Sequence, residues 1–125
     1  RADASRGSSP SVDRASLERY VALFNARDWD AVRALVADDC RLDLVSKAAL
    51  RGKAVGGYYG GYRDETDVGL RVIRLEDRDA IGVWLGSEAR PAYFMLLQWQ
   101  DGRVVSIRDY RYARHVAFEA DVSDA

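Results

Sequence analysis

The stretch Ala92-Tyr-Phe-Met-Leu-Leu-Gln-Trp-Gln-Asp-Gly-Arg-Val-Val-Ser-Ile-Arg-Asp-Tyr-Arg-Tyr112 decides how this chain folds. Two runs rich in β-branched and aromatic residues flank Asp101-Gly102, a dipeptide whose residues both tolerate positive φ and so favour a two-residue hairpin turn. The spacing predicts strands over 92–100 and 103–112. On the second, Val105, Ile107, Asp109 and Arg111 share one face by alternation, and Val105 and Ile107 read as core-facing. Working outward, 68–75 and 80–85 have the same texture, with turn signals at Glu76-Asp77-Arg78-Asp79 and between Gly86 and Pro91. The second half of the chain therefore reads as an antiparallel meander.

The first half reads differently. Leu17, Tyr20, Val21 and Phe24 recur at helical spacing, which predicts a helix over 12–26 with Ser11 or Asp13 as its cap. Asp28 caps a second, shorter helix with an apolar face of Trp29, Val32, Leu35 and Val36, ending before Asp38-Asp39. A strand over 41–45 follows. Leu50-Arg51-Gly52 then leads into a third helix over 53–62, where Val55, Tyr58, Tyr59 and Tyr62 recur at near-helical spacing among four glycines. Those glycines weaken the helix intrinsically, and close packing against a sheet is the expected reason for them. Three helices with an early strand, then a meander, predict an α+β fold with helices packed on one face of a curved, mainly antiparallel sheet. The polar, Pro-containing residues 1–11 read as a linker or tail, 12–116 as the domain and 117–125 as a C-terminal tail.

Composition excludes several function classes. The 125 residues are 48% hydrophobic and 31% charged, the composition of one globular domain. With 19 basic against 20 acidic residues and a pI near 5.8, no bulk field favours nucleic acid or an anionic membrane. Cys40 is the single cysteine, so no intrachain disulfide or thiolate zinc site can form, and a reducing, cytosolic compartment is expected. Cys40 itself reads as a small buried residue rather than a nucleophile. The spacing shows no metal-ligand cluster and no cofactor signature. Gly56-Gly-Tyr-Tyr-Gly-Gly-Tyr62 lacks the Gly-Lys-Ser/Thr ending of a phosphate loop.

The segment from Arg19 to Asp39, together with Leu50-Arg51-Gly52, resembles the opening of the nuclear-transport-factor-2-like superfamily, the cone-shaped fold of ketosteroid isomerases and SnoaL-like polyketide cyclases. Tyr20-Val-Ala-Leu-Phe-Asn-Ala-Arg-Asp-Trp29, Arg41-Leu-Asp-Leu-Val45 and the run from Tyr93 to Arg114 further resemble the SnoaL-like C-terminal extension of extracytoplasmic-function sigma factors of bacterial RNA polymerase. The absence of an initiator Met and the linker-like start agree with a domain cut from a longer chain. That resemblance implies a regulatory module that contacts the sigma regions of its own chain and, through them, RNA polymerase, docking on them or sensing a small ligand.

The isomerases of this fold use a carboxylate base on the first strand, with a Tyr on helix one and a protonated acid on the sheet as donors. By resemblance Tyr20 matches the Tyr, but the base position falls on Leu44 and the acid on Met95. Asp43, one residue away, points to the opposite face. SnoaL-like cyclases imply a simpler design, and Asp109 is the candidate acid or base, with Tyr20 orienting the substrate. Arg111 beside it would make an ion pair that weakens the proton donor. His115 is a conceivable dyad partner but reads as a surface residue. The fold would bring Tyr20, Phe24, Trp29, Tyr59, Met95, Asp109 and Arg111 around a cavity for an apolar or aromatic ligand, or these residues simply fill the cone. Trp84, Trp99, Phe94, Leu96, Arg108 and Tyr110 are expected on the outward face, as a surface for a homodimer or for the sigma regions. A dimeric binding protein is the third possibility.

Overall fold

The computed structural model describes residues 13–52, 54–114 and 122–124. Helix α1, Arg14–Asn25, starts where Asp13 accepts from the amides of Ala15 and Ser16, as its capping chemistry predicts, and buries Leu17, Tyr20, Val21 and Phe24. It ends at Arg27, whose φ of 62° allows the Asp28 amide to reach back to the Leu23 carbonyl. Asn25 then fixes the helix to the sheet by donating to the Leu70 carbonyl at 2.8 Å and accepting from the Leu70 amide at 2.9 Å. Helix α2, Trp29–Ala34, is capped by Asp28 but stops short of the expected end. Tertiary pairing overrides the helical periodicity: the Val104 amide takes the Leu35 carbonyl at 2.8 Å, and Val36 is already paired with Val104 as a strand residue.

Seven strands follow the helices in one sheet: β1, Val36–Leu44; β2, Ala48–Arg51; β3, Val68–Leu75; β4, Arg78–Leu85; β5, Tyr93–Gln100; β6, Arg103–Asp109; and β7, Val122–Asp124. Helix α3, Ala54–Arg63, lies between β2 and β3. The strand order is β2-β1-β6-β5-β4-β3-β7. Every pairing is antiparallel except β1 with β6, which brings the first strand beside the last long one. The sequence reading starts β1 five residues late and omits β2, whose four residues contain no aromatic or β-branched residue. It also treats 117–125 as a tail, whereas Val122–Asp124 adds a strand to β3. The proposed linker over 1–11 lies outside the described residues.

Two turns show why the meander folds as it does. Asp101 and Gly102 have φ of 53° and 80°, the left-handed pair that a two-residue hairpin needs, and Glu76 and Asp77 reach the same region at 49° and 69°. The second turn thus uses two residues where four were expected. Between β5 and β6, Gln98 pairs with Ser106 but Trp99 with Val104, so Val105 is an extra, bulged residue. The bulge reverses the alternation: Val104 and Ile107 are buried and Val105 is half-buried, so Val105 is not the core residue alternation predicts.

The concave face of the sheet packs on α1 and α3. Trp99 belongs to it, edge-on to Tyr20 with centroids 6.5 Å apart, which corrects its expected place on the outward face: it alternates with Met95 and Leu97, not with Phe94 and Leu96. Trp84, Phe94, Leu96, Arg108 and Tyr110 do lie on the convex side. There Phe94 packs on Tyr110 at 4.3 Å and both are buried, and the Trp84 ring covers Gly82, where a Cβ would come within 2.7 Å of it. The helix glycines have no such reason. A Cβ at Gly56, Gly57 or Gly60 would meet nothing within 4 Å, so close packing does not require them.

Candidate functional site

The β1–β6–β5–β4 pairings line up one row across the concave face: Leu44, Asp109, Met95 and Ile81. Asp109 is the single polar member of the row and is fully buried. Its carboxylate survives there because three donors converge on it. Tyr58 donates to Oδ2 at 2.6 Å, Tyr62 donates to the same oxygen at 2.7 Å, and the Arg111 amide donates to Oδ1 at 2.8 Å. Tyr58 and Tyr62 are one helical turn apart on α3, so both hydroxyls descend from the same face onto the row.

The network extends further. Tyr62 and Tyr93 have hydroxyls 2.6 Å apart. Because the Tyr62 hydrogen goes to Asp109, the Tyr93 hydrogen goes to the Tyr62 oxygen, and the phenols form a chain ending at the carboxylate. Tyr58 has an alternative acceptor, the Met95 sulfur at 3.7 Å. Burial pushes the Asp109 pKa above the ordinary carboxylate value of 3.8, and the hydrogen bonds from Tyr58, Tyr62 and the Arg111 amide only partly oppose this. Burial likewise raises Tyr58 and Tyr62, with the Asp109 charge acting in the same direction, so both phenols stay protonated donors.

The expected ion pair between Asp109 and Arg111 is not formed. After β6 ends at Asp109 the chain turns, so Arg111 no longer alternates with it. Its guanidinium pairs with Glu65 and lies 5.0 Å over the Tyr62 ring, and only its amide reaches the carboxylate. The acid is therefore raised by burial rather than lowered by a neighbouring cation.

Tyr20 and Tyr59 are both fully buried but form a separate pair, with hydroxyls 2.8 Å apart. The Tyr20 hydroxyl is thus hydrogen-bonded to Tyr59 and not to Asp109. Phe24 stands edge-on between Trp29 at 4.8 Å and Tyr62 at 5.3 Å. Trp29 is 6.1 Å from Tyr59, which lines an open cavity of about 440 Å³ with Arg33, Val36, Val55 and Gly56. The structure thus gathers Asp109 and Met95, places Tyr20, Phe24, Trp29 and Tyr59 in a neighbouring aromatic cluster, and sends Arg111 elsewhere. The residues missed are Tyr58 and Tyr62, which donate to the acid, and Tyr93, which donates to Tyr62. The i, i+4 spacing of Tyr58 and Tyr62 was the available signal, since it separates them from the face of Tyr59.

Asp43 lies on the opposite side of β1 from Leu44, as expected, and faces Arg108 at 3.5 Å. Cys40 is buried within β1 rather than before it, with its thiol pushed up to about 11 by burial. His115 lies outside the described residues. Among the described residues no three His, Cys, Asp or Glu side chains are grouped to hold a metal, and no helix is long and apolar enough to cross a membrane.

No protein-family model matches this chain, and no curated protein does. Solved structures do. One is SalBIII, an epoxide hydrolase/cyclase-like enzyme in pyran ring formation in the polyether salinomycin, at 15% identity over 76% of this chain and 86% of that one, with a TM-score of 0.58. A candidate ketosteroid isomerase from Kribbella flavida is 26% identical over 77% of this chain and 74% of that one, with a TM-score of 0.54. A SnoaL-like protein of unknown function from Burkholderia thailandensis is 20% identical over 92% of this chain and 99% of that one, with a TM-score of 0.55. The architecture built up from these helices and this curved sheet is the SnoaL-like, nuclear-transport-factor-2-like fold.

Proposed function

We propose that this domain is an acid–base enzyme of the isomerase, cyclase or hydrolase type, acting on a small apolar molecule, with Asp109 as the group that moves the proton. One observation carries the reading. Leu44 and Met95, the positions where isomerases of this fold are expected to hold their carboxylates, are the two cross-strand neighbours of Asp109. The acid is moved to the strand between them and kept in the same row. The likenesses to the epoxide hydrolase/cyclase-like enzyme and to the candidate isomerase support this reading.

The local chemistry suits proton transfer. A carboxyl whose pKa is raised toward the working pH spends time in both protonation states, which a general acid or base needs. When Asp109 takes a proton, Tyr58 can turn its hydrogen to the Met95 sulfur and accept from the acid, and Tyr62 can turn its hydrogen to Tyr93. The change of charge is thereby absorbed by hydroxyl rotation without moving the backbone. Leu44, Tyr58 and Arg111, which adjoin the acid, are half-buried, and in this reading the substrate approaches from their side.

The test uses two probes, a β,γ-unsaturated cyclic ketone and an aryl epoxide. Turnover of either, falling by about 10²-fold or more in Asp109→Asn and less in Tyr20→Phe, is the expected result. No turnover of either probe, or an Asp109→Asn variant as active as the parent, overturns the reading.

A second reading is favoured by the packing. Tyr20, Tyr59, Tyr62, Tyr93 and Met95 are all fully buried, so the cone is largely filled. A filled cone suits a regulatory module that docks on the sigma regions of an extracytoplasmic-function sigma factor. In that case transcription by the corresponding sigma factor and RNA polymerase changes when this domain is deleted, and Asp109→Asn alters it no more than any equally destabilising substitution.

A further inference from the structure

The convex side of the sheet carries an arrangement that the Asp109 site does not use. Pairing of β1 with β2 sets Arg41 directly opposite Arg51, and pairing of β1 with β6 sets Ser106 on the other side of Arg41. The same register one step along the sheet sets Ala49, Asp43 and Arg108 in a row. Arg41 and Arg51 are both exposed. Like charges directly opposite across antiparallel strands repel and destabilise the pair. Among the described residues neither forms an ion pair with a carboxylate. Asp43, two residues along β1 from Arg41, is engaged by Arg108 at 3.5 Å.

These side chains line an open groove of about 470 Å³, in which three arginines face one carboxylate. Its size falls within the range of small-molecule sites. The small Ala49 side chain leaves the middle of the groove open, and the Ser106 hydroxyl borders the same space. A repulsive cationic pair beside a hydroxyl donor, held in register by two strands, is a geometry that a doubly charged tetrahedral oxyanion satisfies: each guanidinium can donate two parallel hydrogen bonds and the hydroxyl one more.

We infer that this groove binds the phosphate group of a small phosphorylated molecule, with Arg41 and Arg51 clasping the phosphate and Ser106 donating to it. The inference is independent of the acid–base reading, because the groove opens on the face opposite Asp109.

The experiment is thermal unfolding of the protein in inorganic phosphate and in phenyl phosphate, against sodium chloride at matched ionic strength. The parent is expected to melt higher in either phosphate than in chloride, since a ligand that binds only the folded state raises the melting temperature. Arg51→Gln is expected to behave in two opposite ways. In chloride it melts higher than the parent by about 1–4 °C, because the repulsion is gone. In phosphate it loses the ligand-dependent rise, with a midpoint shifted at least about tenfold. Arg41→Gln behaves in the same way, and both residues are exposed, so neither variant threatens the fold. A parent indifferent to phosphate, or variants that melt lower in chloride and keep the full phosphate rise, overturns the inference.

Discussion

The three tyrosines of one helix teach what sets the chemistry of this domain. Tyr58 and Tyr62 share a face of α3 and end on a carboxylate, while Tyr59, one residue on from Tyr58, ends on Tyr20 beside an open cavity. The phenols are identical in kind. Two of them stabilise a buried charge and one terminates a neutral hydroxyl pair, so what a tyrosine does here is decided by which way a turn of helix points it. The asymmetry should appear directly in stability.

The largest effect is expected from Asp109→Ala. It leaves the Tyr58 and Tyr62 hydroxyls and the Arg111 amide without their acceptor inside the core, at a cost of about 3 kcal/mol in chemical denaturation. A loss below about 1 kcal/mol would show that the network reorganises around water. Next is the response to pH. The folded-state pKa of Asp109 lies above its ordinary value of 3.8, so the native state holds its proton longer than the unfolded chain. This contribution is fully present at pH below 3.8 and is lost as pH rises through the folded pKa. The melting temperature of the parent should therefore fall across that window relative to Asp109→Asn, in parallel titrations of the two proteins. Parallel curves would mean that the acid is not raised.

On the other side of the helix, Tyr20→Phe removes one hydroxyl from a neutral pair and should cost only about 1 kcal/mol, measured by the same denaturation. A cost equal to that of Asp109→Ala would erase the contrast between the two clusters. The smallest effect carries the opposite sign. Gly57→Ala and Gly60→Ala meet open space on α3 and should each stabilise by about 0.5–1 kcal/mol, because alanine loses less backbone freedom on forming a helix. Destabilisation by either would mean that those positions are covered by something beyond the described residues.

Much of the fold was legible because it follows from short-range chemistry. Asp13 and Asp28 cap their helices, Asp101-Gly102 makes its turn, and 68–75 forms the strand its β-branched texture predicts. What the sequence hid depends on partners distant in the chain. The end of α2 is set by the Val104 amide, the bulge at Val105 by the fit of β6 to β5, and the short β2 by an edge it could not have announced. At the site, Asp109 stood out as an acid among apolar neighbours. Its true ligands did not, because the neighbour in sequence, Arg111, was taken for the neighbour in space, and a bend after β6 gave that guanidinium to Glu65. The convex arginines are hidden in the sequence for a related reason: Arg41 and Arg51 become opposed only when β2 pairs with β1.

The parallel seam between β1 and β6 has a kinetic meaning as well. It joins Val36–Leu44 to Arg103–Asp109, and such distant pairing pays its loop-closure entropy before any contact repays it. While the chain is being synthesised, α1, β1 and α3 exist before the strand that carries the acid. The carboxyl of Asp109 therefore stays hydrated with its ordinary acidity until that seam zips, and the core acquires this buried acid only as the sheet closes.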